Sequence, residues 1–150
     1  MNWPDIALLD IAGKELMINL IYLVVAYLLA IPIGWDRESE EKSAGIRTFS
    51  LVSIASCAYT ITGIHSLTST DAEARVIQAL ITGMGFIGGG AILKVQEKSK
   101  VTGTATAASL WIAGAIGMSV ALNMLEIAIV LSLITFLTLR LIPTFSSSER

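Results

Sequence analysis

Charged side chains on either side of one short loop are the residues best placed to do chemistry in this chain. Asp36 and Arg37 precede the loop, and Arg47 follows it. A carboxylate near two guanidinium groups can form an ion-paired cluster, because arginine N–H groups bond carboxylate oxygens well. Charged side chains are also common at helix ends for a simpler reason, because there they interact with the helix dipole and keep their charged groups in water. The pattern therefore leaves two interpretations open, an ion-paired cluster and ordinary helix-end charges.

The other polar residues do not support catalysis. No carboxylate pair, nucleophile–base spacing or cysteine cluster occurs, and Cys57 is the only cysteine. We therefore predict no enzymatic activity, no cofactor and no disulfide within one chain. His65, with Asp71 and Glu73 nearby in sequence, could form a metal or pH-sensing site, but an ordinary interfacial histidine is the more common case. No metal is assigned.

Glycines dominate one apolar segment near the middle of the chain. Residues 83–88 match the dinucleotide pattern G-x-G-x-x-G, but they lack the preceding strand and the later acidic residue, so we reject nucleotide binding. Gly85 and Gly89 form a GxxxG pair suited to close helix contact. The run 88–90 also weakens a helix, and a break there could expose backbone groups to an ion. Packing is the more common use of such glycines, and both interpretations stay open.

Long uncharged runs must position these residues. Hydrophobic residues make up 54% of the 150-residue chain and charged residues 15%, whereas a soluble domain is about one quarter charged. Apolar segments long enough to cross most or all of a bilayer are residues 16–35, 49–67, 76–93, 104–122 and 124–142. The sequence therefore predicts an all-α polytopic membrane protein with five transmembrane helices. Its net charge of −2 is too small to indicate a nucleic-acid partner.

The basic residues predict the orientation of these segments. Six of the 10 lysines and arginines lie in the loops after the first and third segments, which places the amino terminus outside and the carboxyl terminus in the cytoplasm. Residues 1–15 are predicted to be an interfacial segment anchored by Trp3, or a partly ordered tail. Residues 16–142 form the membrane domain and 143–150 a short cytoplasmic tail. No basic region precedes the first segment, so we expect no cleaved signal peptide.

Small residues mark a contact surface on the fourth segment. Ala105, Ser109, Ala113, Gly117 and Ala121 recur every four residues and therefore share one helix face. We predict close packing of the third and fourth segments, either within one chain or between two copies.

The loops after the first and third segments resemble each other. In both, a glycine (Gly45 or Gly103) opens the returning helix, and a threonine follows three residues later. We interpret segments one–two and three–four as parallel repeats about an axis along the membrane normal. Chance similarity between short polar loops is the alternative.

Several ordered motifs together resemble the MgtC/SapB family of bacterial inner-membrane proteins, over roughly residues 30–140. The matching motifs are residues 34–38, 44–48, 75–78, 82–93, 101–103, 106–112 and 115–117. Gly89 departs from the family's usual alanine, and Thr-Ala-Thr at 104–106 replaces the usual Leu-Thr-Thr. We expect a minimal form of the family that lacks the carboxyl-terminal cytoplasmic domain of MgtC.

The resemblance implies a five-span plasma-membrane protein that is often dimeric. Family members are linked to growth at low magnesium, survival of pathogens inside host cells and restraint of the F-type ATP synthase. We therefore predict a regulator that acts by helix contacts with another membrane protein, such as that ATP synthase or a small membrane peptide. The alternative is a small transporter or channel for magnesium or another ion.

The resemblance also marks functional positions, led by Arg47 and Asp36. The predicted functional cluster is Asp36, Arg37, Arg47, Thr48 and Arg75. The positions predicted to pack helices or to break one are Gly83, Gly85, Gly88, Gly89, Gly90, Gly103, Ser109, Ala113 and Gly117.

Overall fold

The computed structural model describes residues 3–67, 69–95 and 100–142, which form five helices and one short hairpin. The helices are α1 Trp3–Ser39, α2 Ile46–Ser66, α3 Thr70–Gly90, α4 Thr104–Ala121 and α5 Leu125–Leu141. Strands β1 Leu93–Val95 and β2 Lys100–Thr102 pair antiparallel between α3 and α4. The all-α prediction is confirmed for the helices, whereas the predicted basic loop is partly a hairpin because its β-branched residues favour extended backbone. The predicted tail, 143–150, lies outside the described residues.

Two helices in the described part of the chain are long and apolar enough to cross a membrane. They are the Gly13–Ser39 part of α1, with 27 residues, and α4, with 18 residues. The apolar part of α1 is largely exposed, whereas half of α4 is buried. Exposed apolar faces of this extent are rare in soluble monomers and mark contact with a membrane or another protein. The topology with five spans stays a prediction.

Helix α1 runs without interruption through the boundary predicted near residue 15. Pro32 lies inside it and has no N–H to donate to the carbonyl of Leu28, four residues earlier. The hydroxyl of Ser132 on α5 donates to one of the carbonyls beside the proline, Leu29 O, at 2.7 Å. In apolar surroundings, serine hydroxyls commonly satisfy carbonyls near a proline in this way. The bond therefore joins α5 to α1 in the turn that precedes Pro32.

Helix α4 lies at the centre of the bundle. Ala113 and Ile116 are fully buried, and the glycines beside them let two neighbours approach closely. A Cβ at Gly117 would collide with the Ser53 carbonyl oxygen of α2, and one at Gly114 would meet the Met84 sulfur of α3 at 2.7 Å. Helices α3 and α4 thus pack together, but Gly117, on the predicted small-residue face, contacts α2 instead.

That small-residue face is buried along most of its length. Ser109, Ala113 and Gly117 are buried, Ala121 is half-buried and Ala105 is exposed. The Ser109 hydroxyl donates to the Ala105 carbonyl at 2.7 Å, so it is satisfied within its own helix. The face therefore serves the interior of this chain rather than a contact between two copies.

Glycines open both returning helices, but in different conformations. Gly45 caps α2 with φ −125°, whereas Gly103 caps α4 with φ +87°. A Cβ at Gly103 would also collide with the Ala91 carbonyl oxygen, so both its backbone angle and its surroundings require glycine. The loops thus share a glycine cap and differ in geometry, and the internal repeat stays a prediction.

Candidate functional site

A buried ion pair lies near the carboxyl-terminal end of α1. Asp36 is 5% exposed and Arg37 4% exposed, and the guanidinium of Arg37 donates to Asp36 Oδ2 through both Nε, at 3.0 Å, and Nη2. Consecutive helix residues do not normally face each other, so both side chains must turn toward the same side. Because a buried charge without a partner is costly, each residue depends on the other to stay in this position.

The turn between α1 and α2 is shaped around this pair by Glu38. Its Oε2 accepts a hydrogen bond from the Ile46 backbone N–H at 2.9 Å and so caps α2, whose N-cap residue has no side chain. A Cβ at Gly45 would lie 2.6 Å from that oxygen, and a Cβ at Gly34 would lie 2.6 Å from the Ile46 Cα. Gly34 is therefore required for α1 and α2 to meet this closely, whereas a side chain at Gly45 would displace the Glu38 carboxylate that caps α2.

Sequence reasoning missed Glu38 as a site residue. The available signal is a glycine N-cap, which leaves a helix without a side-chain cap and so calls for an acceptor from elsewhere. Sequence reasoning also missed Arg140, which lines a cavity of about 240 Å³ together with Asp36. This second cation comes from α5, about 100 residues further along the chain, and no local pattern connects it to Asp36.

The other members of the predicted functional cluster do not join the buried pair of Asp36 and Arg37. Arg47 is exposed in the first turn of α2, and within the described ranges it makes no ion pair with Asp36. Thr48 is half-buried, and Arg75 is exposed on α3 next to Val76, which contacts Gly63 near the far end of α2. Arg75 therefore lies at the opposite end of the bundle from Asp36. The functional roles of these residues stay predictions.

Of the predicted glycines on α3, Gly88 is the one that packs. Its Cβ position lies 3.1 Å from the Ala107 carbonyl oxygen of α4, whereas a Cβ at Gly83, Gly85, Gly89 or Gly90 would meet nothing within 4 Å. Helix α3 runs unbroken through the run and ends there, with the Ala91 N–H donating to Gly88 O at 3.0 Å. The glycine run thus marks the end of α3 rather than a break within it.

The open glycines form a bare surface on α3. Gly85 and Gly89 lie one turn apart on the side away from α4, and Phe86 beside them is 86% exposed. We call these three residues the outer face of α3. No residue that the structure describes covers the glycine positions of this face, because α3 uses its Met84 and Gly88 side to contact α4.

Buried hydroxyl groups follow one side of α2. The Ser53 hydroxyl donates to the Ala26 carbonyl of α1 at 2.9 Å, and the Thr60 hydroxyl donates to the Ser56 carbonyl at 2.7 Å. The hydroxyls of Ser50 and Ser56 are buried and have no hydrogen-bond partner among the described residues. The side of α2 that faces the interior is thus polar but uncharged.

Metal ligands are not brought together in the part of the chain that the structure describes. No group of three histidine, cysteine, aspartate or glutamate side chains comes close enough there to hold a metal ion. His65 Nδ1 lies 3.0 Å from the carbonyl oxygen of Ile61, one turn earlier on the same helix, and the ring is exposed. The buried charges of Asp36 and Arg37 neutralise each other.

Comparison with known proteins adds independent information. The sequence model of the MgtC family matches residues 23–148. Protein SrpB of Synechococcus elongatus is 32% identical over 78% of this chain and 70% of its own length. Putative magnesium transporter YhiD of Escherichia coli is 34% identical over 80% of this chain and 58% of its own length. Protein MgtC of Salmonella typhimurium is 32% identical over 75% of this chain and 47% of its own length. No solved structure matches the chain.

Proposed function

Because the chain belongs to the MgtC family, we propose that it is a magnesium-related protein of the bacterial plasma membrane that regulates another membrane protein by helix contact. The orientation predicted by its basic residues, with five spans and a cytoplasmic carboxyl terminus, is part of this proposal. The name of YhiD, a putative magnesium transporter, supports the link to magnesium. The largely exposed apolar surface of α1 supports the membrane location.

The observation that carries the regulatory proposal is the outer face of α3. Glycines at four-residue spacing let a second helix backbone come close, and in membranes such surfaces are sites of helix association. Gly85 and Gly89 have this spacing, and Phe86 projects beside them with 86% of its surface exposed. Within the described residues nothing fills this surface, so it is available to a partner helix. The candidate partners are the F-type ATP synthase and a small membrane peptide.

Ion transport is the alternative, and the name of YhiD, a putative magnesium transporter, is its main support. A transporter needs a binding site within the bundle, usually built from ionisable side chains or broken helices. In the described residues α3 is continuous and the buried carboxylate of Asp36 is neutralised by Arg37. These observations favour regulation over transport. The absence of enzymatic activity stays a prediction.

Photocrosslinking tests the proposal directly. A benzophenone amino acid would replace Phe86 in the full chain, and cells would be irradiated at low and at high magnesium. The matched control places the same probe at Ile134 on α5, which is 57% exposed but has no glycine pair beside it. We expect a defined protein adduct from position 86 that changes with magnesium supply and does not form from position 134. Adducts to this chain alone, unchanged by magnesium, would overturn the regulatory proposal.

A further inference from the structure

A wedge-shaped groove lies between α2 and α3. Its volume is about 740 Å³, and residues of both helices line it. The two helices meet where a Cβ on Gly63 would be 2.8 Å from Val76 Cγ1. They then diverge, because the other end of α3 is held against α4 through Gly88. The groove is therefore closed at the Gly63 end and open toward Leu51 and Ile87.

The groove is apolar and has the dimensions of one lipid chain. Its lining residues are mostly aliphatic, with Tyr59 and Thr62 supplying the hydroxyls. From Leu51 to Thr62 it extends for about 16 Å along α2, at 1.5 Å per residue. Half the hydrocarbon thickness of a bilayer is about 15 Å. An acyl chain of a single leaflet therefore matches the groove in both length and polarity.

A partner helix fits this groove poorly. A crossing helix needs about 20 residues, and the groove narrows to contact at Gly63, where a second backbone could not enter. A flexible chain of methylene groups can follow a narrowing wedge, whereas a helix of constant diameter cannot.

A cation lies on α2 one helical turn beyond the residues that line the groove. Arg47 lies one turn before Leu51 on α2, so the two residues are neighbours along the helix surface. Its side chain is exposed, and no described residue forms an ion pair with it. Guanidinium groups bind phosphate through two parallel hydrogen bonds. The predicted orientation places Arg47 at the cytoplasmic surface, where anionic lipids concentrate.

We propose that the α2–α3 groove binds one acyl chain of an anionic phospholipid, whose phosphate group pairs with Arg47. This inference rests on the proposed membrane location and not on the partner proposed for the outer face of α3. It assigns a ligand-binding role to Arg47. Asp36, at the same end of the bundle, pairs with Arg37 and not with Arg47.

Native mass spectrometry of the detergent-purified full chain tests the proposal. Phosphatidylglycerol and phosphatidylcholine with identical chains would be added separately, and bound lipids counted. Both lipids carry the phosphate, but the choline ammonium of phosphatidylcholine cancels its net charge. We therefore expect phosphatidylglycerol to bind at least about threefold more tightly, the effect of roughly 0.7 kcal/mol. Arg47→Gln should remove this preference while leaving residual binding of both lipids, and Arg47→Lys should keep part of it.

Two glycine variants on the same helix separate the groove from the outer face of α3. Gly83 lines the groove and Gly85 does not, yet a Cβ at either position meets nothing within 4 Å. Gly83→Leu should therefore place a side chain in the groove from an open Cβ position and lower lipid binding at least about fivefold, the effect of roughly 1 kcal/mol. Gly85→Leu should bind lipid like the unaltered chain.

Each other outcome is decisive. Equal binding of the two headgroups, or equal lipid binding by Gly83→Leu and Gly85→Leu, would overturn the proposal. If Gly83→Leu lowered the fraction of chains found as dimers and left the number of bound lipids unchanged, a second copy would occupy the groove. Fractionation of the cells that produce the protein checks the proposed membrane location, because a chain absent from the membrane fraction would refute that location.

Discussion

Removing one member of the buried pair should destabilise the protein far more than removing both. In Asp36→Leu the guanidinium of Arg37, 4% exposed, would keep its charge and lose its bonds to Asp36 Oδ2. Breaking a buried pair by removing one partner costs about 3–5 kcal/mol, whereas replacing both partners by apolar residues is often nearly neutral. Asp36→Leu alone should therefore cost several kcal/mol, and Asp36→Leu with Arg37→Leu should recover most of that loss.

Thermal unfolding followed by tryptophan fluorescence measures this difference in detergent, since the chain has three tryptophans. At about 2–4 °C per kcal/mol for a protein of this size, Asp36→Leu should lower Tm by about 6–20 °C. Glu40→Gln is the matched control, because Glu40 pairs with Lys42 at 3.9 Å but is 52% exposed. Exposed pairs contribute at most about 1 kcal/mol, so this Tm should change little. The reasoning would be refuted if Asp36→Leu with Arg37→Leu lowered Tm as much as Asp36→Leu alone, or more.

Two further predictions concern glycine packing and ion transport. Gly117→Ala should lower stability by about 1–3 kcal/mol, because its Cβ collides with the Ser53 carbonyl oxygen. Gly85→Ala should raise stability by about 0.5–1 kcal/mol, because its Cβ position is open and alanine favours a helix; Tm values in the opposite order would contradict the packing. In proteoliposomes the folded chain should carry no saturable flux of magnesium, potassium, protons or common anions. Saturable flux that Arg47→Ala abolishes would make the protein a transporter.

Helix positions were largely predictable from the sequence because uncharged runs with polar ends define them. The predicted segment 104–122 differs from α4 by one residue, and 124–142 differs from α5 by one residue at each end. By contrast, α1 begins at residue 3 and α3 at residue 70, before the predicted starts at 16 and 76. The hairpin was not predictable, since three-residue strands give no periodic pattern and their lysines resemble those of a basic loop. Local pattern thus located the elements and not their short connections.

The candidate site was less predictable, because tertiary packing selects among equivalent residues. Gly85, Gly88 and Gly89 look alike in sequence, and only the position of α4 decides that Gly88 is covered and the other two stay open. Arg37 and Arg47 were both candidates to pair with Asp36. The buried end of α1 brings Arg37 to the carboxylate, whereas Arg47 points away at the start of α2. Neither choice can be read from spacing alone.

Co-purification of the full chain from membranes of its native cells tests the central claim most directly, since that claim assigns the outer face of α3 to a partner protein. The comparison is between Gly85→Leu with Gly89→Leu, which fills this face, and Gly83→Leu, which lies on the groove side of the same helix. Filling the face should abolish a magnesium-dependent association with another membrane protein, and Gly83→Leu should retain it. An identical set of partners in both variants would contradict the account.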